Sequence, residues 1–257
     1  MLRRTKIVAT LGPKSNDKVT IEKLIKSGVN VFRLNFSHGN PEDHQKTASL
    51  IRTISSEIEI PTAILCDMQG PKIRIGEFMN DAPILLSVNQ RFRLDSEIGK
   101  KNGHQHSVHL EKIYLDDLLE GDQLLLDDGR ILLKIESKQP NAVECVVLNG
   151  GVLSGNKGVN KFGGGLSAAA LTPKDRSDIR VAAAIGTDYL AISFVRSKND
   201  IEETRTLLTG AGSNAHIIAK IERAEAIKED NLAGIINSAD GLMVARGDLG
   251  VEIGDAN

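Results

Sequence analysis

The stretch KIVATLGPKSNDKVTIEKLIKSGVNVFRLNFSHG, residues 6–39, decides the fold. It opens on a short apolar run, KIVATLG (6–12), which reads as a strand. Ser15-Asn16-Asp17 then offers side chains that can cap a helix, Ile21, Leu24 and Ile25 recur at helical spacing, and Gly28 stops the helix. NVFRLNFS (30–37) is the next strand. The unit then repeats. Asn40-Pro41 supplies a cap with proline at the first helical position, Ile51, Ile54 and Ile58 lie on one face, and TAILCDM (62–68) is a third strand. The order β-α-β-α-β predicts a parallel sheet with right-handed crossovers.

From about residue 76 the rhythm changes. Residues 77–165 hold alternating stretches such as RFRLD, QLLLDDGRILLKI and AVECVVL, separated by Gly, Asn and Asp turns, which predicts an antiparallel β insert. The first rhythm then resumes. Thr172-Pro173 with Asp175 reads as a capping-box helix start, followed by a strand at 189–194, a helix over 198–209, a strand at 216–222, a helix from about 223, and GLMVARGD (241–248). The expected segments are therefore 1–76 and 166–257 as two parts of one α/β domain, with 77–165 inserted after the third of six strands. Pattern alone leaves two architectures open: a (β/α)8 barrel with six of its eight strands present, or a complete doubly wound sheet.

Composition narrows the function classes. Of 257 residues, 40% are hydrophobic and 26% charged, so a packed core is expected rather than disorder. A net charge of -2 without clustered Lys and Arg, no Trp and 3% aromatics argue against nucleic acid as a partner. MLRRTKIVATLG is basic then apolar, but the apolar part is too short for a signal peptide, and no window approaches a transmembrane span. Cys66 and Cys145 have no metal-site spacing, and the cytoplasm is the expected compartment.

Polar residues gather at the predicted strand ends, where parallel α/β folds carry their sites. They are Arg33, Asn35 and Ser37 with His38; Asp67; Lys220 with Glu222; and Arg246 with Asp248. Singly, each has a plainer reading: Asp67 as a turn cap, Lys220 and Glu222 as an ion pair, His38 as a turn residue. Arg33 is harder to dismiss, because a guanidinium between Phe32 and Leu34 needs an anionic partner. Together they suit one chemistry. Glu222 and Asp248 supply two hard oxygen ligands for Mg²⁺. Lys220 and Arg33 supply positive charge for a phosphoryl group in transfer, and Gly247 with the amides that open a helix at GDLG suits a carboxylate.

TKIVATLGPKS, VFRLNFSHG, CDMQGPKIR, IAKIERAEA and MVARGDLGVEIG, in this order and with a β insert after the third strand, resemble the signature segments of the pyruvate kinase family, in its bacterial style, from residue 3 to residue 254. The resemblance implies a TIM-type barrel with an inserted lid, and Mg²⁺-dependent (or Mn²⁺-dependent) transfer of phosphoryl from phosphoenolpyruvate to ADP, giving pyruvate and ATP in glycolysis. Carried over by position, Glu222 and Asp248 would bind the divalent ion, Lys220 would neutralise the phosphoryl in flight, and Arg33 and Arg74 would contact the phosphate. The Gly247 and Asp248 amides would hold the carboxylate. Asn35, Ser37 and Asp67 with the Met68 carbonyl match a monovalent-cation site. His38, Asn35, Arg33 and Arg74 fall near the nucleotide, and Lys157 matches a lid lysine that reaches its phosphates.

Two departures from the family pattern carry expectations. K⁺-dependent members have a glutamate where this chain has Lys72, so little or no need for K⁺ is expected. Family members also continue through two more strands, a threonine after strand seven and a C-terminal domain used in homotetramer assembly. The 257 residues are thus expected to be an N-terminal part with little or no turnover alone. The alternatives are a Mg²⁺-enolate lyase or aldolase, and a non-catalytic fragment that binds a partner chain.

Overall fold

The computed structural model of the chain describes residues 4–254, so the outer limits of the expected segments, Met1 and Asn257, lie outside it. It divides into two compact units. One takes the chain up to Gly70, Ala170–Ile221 and Glu229–Met243; the other takes Pro71–Ala169, Glu222–Lys228 and the chain from Val244 on.

The first unit begins with β1 (Val8–Thr10), α1 (Lys18–Lys26), β2 (Val31–Asn35), α2 (Pro41–Glu57) and β3 (Ala63–Asp67). The expected caps form. Asp17 accepts from the Thr20 amide, and Asn40 accepts from the Asp43 amide with Pro41 at the first helical position. Alternation along β2 buries Phe32 and Leu34 and leaves Arg33 and Asn35 half-buried on the opposite face. Complete burial of a side chain such as Phe32 is worth about 1.5–3 kcal/mol.

In the second unit come β4 (Ile84–Leu86), β5 (Arg91–Asp95), β6 (Ser107–His109), the short α3 (Lys112–Asp116), β7 (Gln123–Leu126), β8 (Ile131–Gln139), β9 (Ala142–Asn149), β10 (Gly151–Leu153) and β11 (Val159–Lys161). They build a sheet in the order β11-β7-β8-β9-β5-β6 and a ribbon of β10 with β4. Phe92, Leu94, Val108, Leu126, Leu133 and Val143 belong to its buried core. Pairing is antiparallel as expected except for β5 with β6, which run parallel because residues 96–106 carry the chain back instead of closing a hairpin.

The remaining elements are α4 (Pro173–Ile185), β12 (Tyr189–Ile192), α5 (Lys198–Gly210), β13 (His216–Ile221), α6 (Glu229–Ser238), β14 (Gly241–Val244) and α7 (Arg246–Ile253). Thr172 and Asp175 form the predicted capping box. The sheet order settles which architecture is present: β1-β2-β3-β12-β13-β14 follows the chain without reversal, with the first five strands paired in parallel. A doubly wound sheet reverses at a switch point. A sheet wound in one direction takes the course of a barrel, and six strands of one are present. Helices α1, α2, α4, α5 and α6 pack each against the next in the same succession.

Two boundaries differ from expectation. No α-helix starts at 223; a 3₁₀ turn, Ala224–Ile227, precedes α6. Arg223 pairs there with Glu225, and residues two apart do not face each other on an α-helix. The strand expected over 241–248 ends at Val244, and Arg246–Asp248 form the first turn of α7.

Candidate functional site

In the first unit, Arg33, Asn35, Asp67 and Lys220 stand at or next to the carboxyl ends of β2, β3 and β13, and the register sets Asn35 opposite Asp67. Asp67 is 1% exposed. Arg33 brings Nε to 2.6 Å and Nη2 to 2.6 Å from the same Asp67 oxygen, Oδ2. Its Nη1 donates to Thr10 Oγ1. Lys220 Nζ lies 3.3 Å from the other oxygen, Oδ1, which accepts no hydrogen bond. Two cations thus meet one buried carboxylate, which answers the cost of placing Arg33 in an apolar strand.

The neighbouring oxygens are arranged by short local bonds. Asn35 Oδ1 accepts from the Ser37 amide at 3.1 Å, and the Met68 carbonyl accepts from Ser193 Oγ at 2.8 Å. Ser37 and His38 are exposed. His38, Asn35 and Thr10–Pro13 line a cleft of about 650 Å³ in this unit. His44 closes it on one side, stacked on Phe36 at 4.1 Å, with Nε2 donating to the His38 carbonyl. Burial holds the His44 imidazole below its ordinary pKa, so the neutral ring is favoured.

The second unit carries the other candidates. Glu222, the first residue after β13, is 2% exposed. Asp248 lies in the first turn of α7, and β14, the strand that leads into that helix, is the neighbour of β13 in the sheet. Two carboxylates are thereby brought to the ends of adjacent strands. The Gly247 and Asp248 amides belong to the helix turn that has no intrahelical acceptors. A side chain at Gly247 would meet open space, so packing does not require glycine there.

Two expected contact residues, Lys157 and Arg74, and Lys72 are engaged inside the second unit. Lys157 Nζ pairs with Asp127 at 2.7 Å, and Arg74 Nη1 donates to the Asn156 carbonyl at 2.7 Å. Lys72 Nζ lies 3.6 Å from Asp128 and 3.7 Å from Asp248. Asp127, Asp128 and Gly129 turn the β7–β8 hairpin with three successive positive φ angles, which aims both carboxylates at lysines. In the same unit, buried Arg223 bonds the Leu166 carbonyl, Glu225 and Glu252. Among the described residues no cluster of three or more His, Cys, Asp or Glu side chains has metal-binding geometry.

A family model described as pyruvate kinase, barrel domain, matches residues 2–257. The chain belongs to the pyruvate kinase family. It is 52% identical over 257 residues to a pyruvate kinase of Buchnera aphidicola subsp. Schizaphis graminum, covering 99% of this chain and 53% of the relative. It is 52% identical over 256 residues to a pyruvate kinase of Haemophilus influenzae and 50% identical over 256 residues to pyruvate kinase II of Salmonella typhimurium, again over 99% of this chain and 53% of each relative. The chain spans about half the length of the curated relatives it matches. Membership of the pyruvate kinase family sets aside the enolate lyase and aldolase. No helix among the described residues is long and apolar enough to cross a membrane.

Ser193 and Phe194, next to Lys220 and Gly70, escaped the sequence reading. Within the apolar run YLAISFV nothing marks the serine as polar machinery. The one local signal is backbone: Phe194 has φ 57°, a left-handed conformation that a bulky residue rarely adopts.

Proposed function

We propose that these residues perform the phosphoryl-transfer chemistry of the pyruvate kinase family, from phosphoenolpyruvate to ADP, giving pyruvate and ATP in the cytoplasm. The observation that carries the reading is the meeting of Arg33 and Lys220 at Asp67. A carboxylate that gathers two cations at a strand end presents a fixed concentration of positive charge to a further anion. A transferring phosphoryl group is stabilised chiefly by such fixed charge.

Each remaining candidate takes a role consistent with its chemistry. The α7 amides at Gly247 and Asp248 receive the substrate carboxylate, as helix N-termini receive anions. The cleft beside His38 and Asn35 receives the nucleotide. Lys157 and Arg74 turn to phosphate when they release Asp127 and the Asn156 carbonyl, and the β insert of 77–165 serves as the lid that excludes water.

The donor set fits a divalent ion of the Mg²⁺ type. Glu222 and Asp248 would hold it, and two carboxylates suffice for an ion that keeps water and substrate oxygens in its remaining positions. When bound it supplies positive charge to phosphate and enolate oxygens. Asn35, Ser37, Asp67 and the Met68 carbonyl offer the hard oxygens a monovalent cation takes, and Asp67 Oδ1 has no hydrogen bond to lose. Lys72 already brings a positive charge to Asp248, which supports a chain that works without K⁺.

Titrating phosphoenolpyruvate into the chain with Mg²⁺ present tests the reading. Saturable binding that Glu222→Gln and Lys220→Met each weaken tenfold or more (about 1.4 kcal/mol) is the expected result. Failure of the unaltered chain to bind overturns it. Pyruvate release, followed through lactate dehydrogenase, then measures turnover.

A further inference from the structure

Glu222 and Asp248 come from separate segments of the second unit, and one buried side chain ties those segments together. Glu252 lies four residues after Asp248 on α7, so the two share a face one turn apart. It is 2% exposed. Its Oε2 accepts from the Ala224 amide at 2.8 Å, and Ala224 is the second residue after Glu222. Oε1 stands 3.3 Å from Nε of Arg223, the residue directly after Glu222, and accepts from Asn160 Nδ2 at 3.2 Å. The Glu252 carbonyl accepts from the Gly163 amide at 2.9 Å. A carboxylate one turn from one candidate ligand thus grips the chain immediately after the other.

Arg223 gives that grip a fixed anchor. It is 3% exposed, and its Nη2 donates to the Leu166 carbonyl at 3.0 Å and to Glu225 Oε1 at 3.1 Å. A planar guanidinium fork held on these other partners cannot follow Glu252 when α7 slides or turns. Burying an ion pair carries a desolvation cost that apolar residues of the same volume avoid, so stability alone is a weak reason for this one and fixed geometry is a stronger one. A divalent ion of the Mg²⁺ type demands fixed geometry, because it accepts little departure from an octahedron at short bond lengths. Glu252 is not itself poised as a ligand, since both of its oxygens already face donors of the second unit.

We propose that Arg223 and Glu252 are positioning residues that set the first turn of α7, and with it Asp248, against Glu222 at the spacing of a shared divalent ion. The ion half of this statement rests on the function proposed above; the clasp does not. Glutamine at position 252 keeps one acceptor oxygen and turns the other into a donor, which then meets either the Ala224 amide or the Arg223 fork donor to donor. The start of α7 moves to relieve that contact. Charge alone makes the opposite prediction at Arg223: removing a cation beside Glu222 tightens the hold on a metal cation, whereas loss of the clasp weakens it. The double variant removes one charge of each sign, so charge alone leaves affinity nearly unchanged there.

Mn²⁺ titrations without substrate, followed by electron paramagnetic resonance, test it in the unaltered chain, Glu252→Gln, Arg223→Gln and the double variant. Affinity should fall about tenfold in all three, the scale on which groups that orient metal ligands act. The zero-field splitting of the bound ion should change in each, while urea denaturation of Glu252→Gln stays close to that of the unaltered chain. Unchanged or tighter binding in any of the three variants overturns the proposal. Should Arg223→Gln fail to fold, Glu252→Gln and the charge-balanced double variant decide. If the unaltered chain takes up no Mn²⁺, the ion reading fails, and crystal structures of the unaltered chain and Glu252→Gln decide the positioning. A change of more than about 0.5 Å in the Glu222–Asp248 Cα separation, the tolerance of a working site, upholds it, and an unmoved α7 overturns it.

Discussion

Arg33 and Asp67 are joined two-on-one, with Nε and Nη2 of the guanidinium each 2.6 Å from a single carboxylate oxygen. The other oxygen faces Lys220, so Asp67 is the negative centre that two strand-end cations require. Removing one partner of a buried pair leaves uncompensated charge, which costs about 3–5 kcal/mol. Asp67→Asn is therefore expected to lose about that much stability in urea denaturation, although the replacement is nearly isosteric. A loss below about 1 kcal/mol, the level of a surface pair, would contradict this account.

The strand order links Glu222 to Asp248. Both leave neighbouring strands, β13 and β14, at the carboxyl end, so each should contribute to one divalent site. Mn²⁺ binding followed by electron paramagnetic resonance is expected to weaken at least tenfold in Glu222→Gln and in Asp248→Asn, and the double variant should add little to either. Independent, additive losses would mean that the two carboxylates do not share an ion.

Lys72 carries a second expectation. Its ammonium is 3.7 Å from Asp248 and 3.6 Å from Asp128, a fixed positive charge at the position where K⁺-dependent relatives are expected to have glutamate. Substrate binding and any turnover should be the same in KCl and in tetramethylammonium chloride at matched ionic strength. A severalfold stimulation specific to KCl would refute the substitution of lysine for K⁺.

The parts of the molecule set by local chemistry were legible in the sequence. Asp17, Asn40 and the Thr172–Asp175 box cap helices because a short polar side chain before a periodic run has amides to satisfy. Arg33 announced a partner because it could not be buried alone, and Asp67 proved to be that partner. What stayed hidden was set by tertiary contact. Six strands in alternation with helices fit two windings equally, and only pairing between β3 and β12, across the whole insert, distinguishes them. Ser193 looked like one more small residue in an apolar run, because its hydrogen-bond partners, Met68 and Lys220, are far away in sequence. The 3₁₀ turn at Ala224–Ile227 was misread for the same reason, since the bonds that hold Arg223 come from Leu166 and Glu252.

That Arg223 serves two carboxylates of opposite character, which gives a prediction with a sign. For Glu225, burial raises the pKa, but the Arg223 charge and the Gly165 amide outweigh it and hold the carboxyl below its ordinary value. Its stabilisation is present above the unfolded pKa and is lost as pH falls through the lowered one. For Glu252, burial dominates over Arg223 and the Ala224 amide and holds the carboxyl above its ordinary value. Its contribution is present below the unfolded pKa and is lost as pH rises through the raised one. Glutamine mimics the protonated acid, so the two substitutions should differ at pH 7. Glu225→Gln is expected to lose about 1–3 kcal/mol, the range for a hydrogen-bonded buried charge, with the loss vanishing as pH drops below the usual carboxylate range. Glu252→Gln should be tolerated within about 1 kcal/mol at pH 7, since Glu225 still answers Arg223. Urea denaturation from about pH 2 to pH 8 measures both, and equal losses at pH 7 would show that Arg223 is neutralised by the two acids jointly.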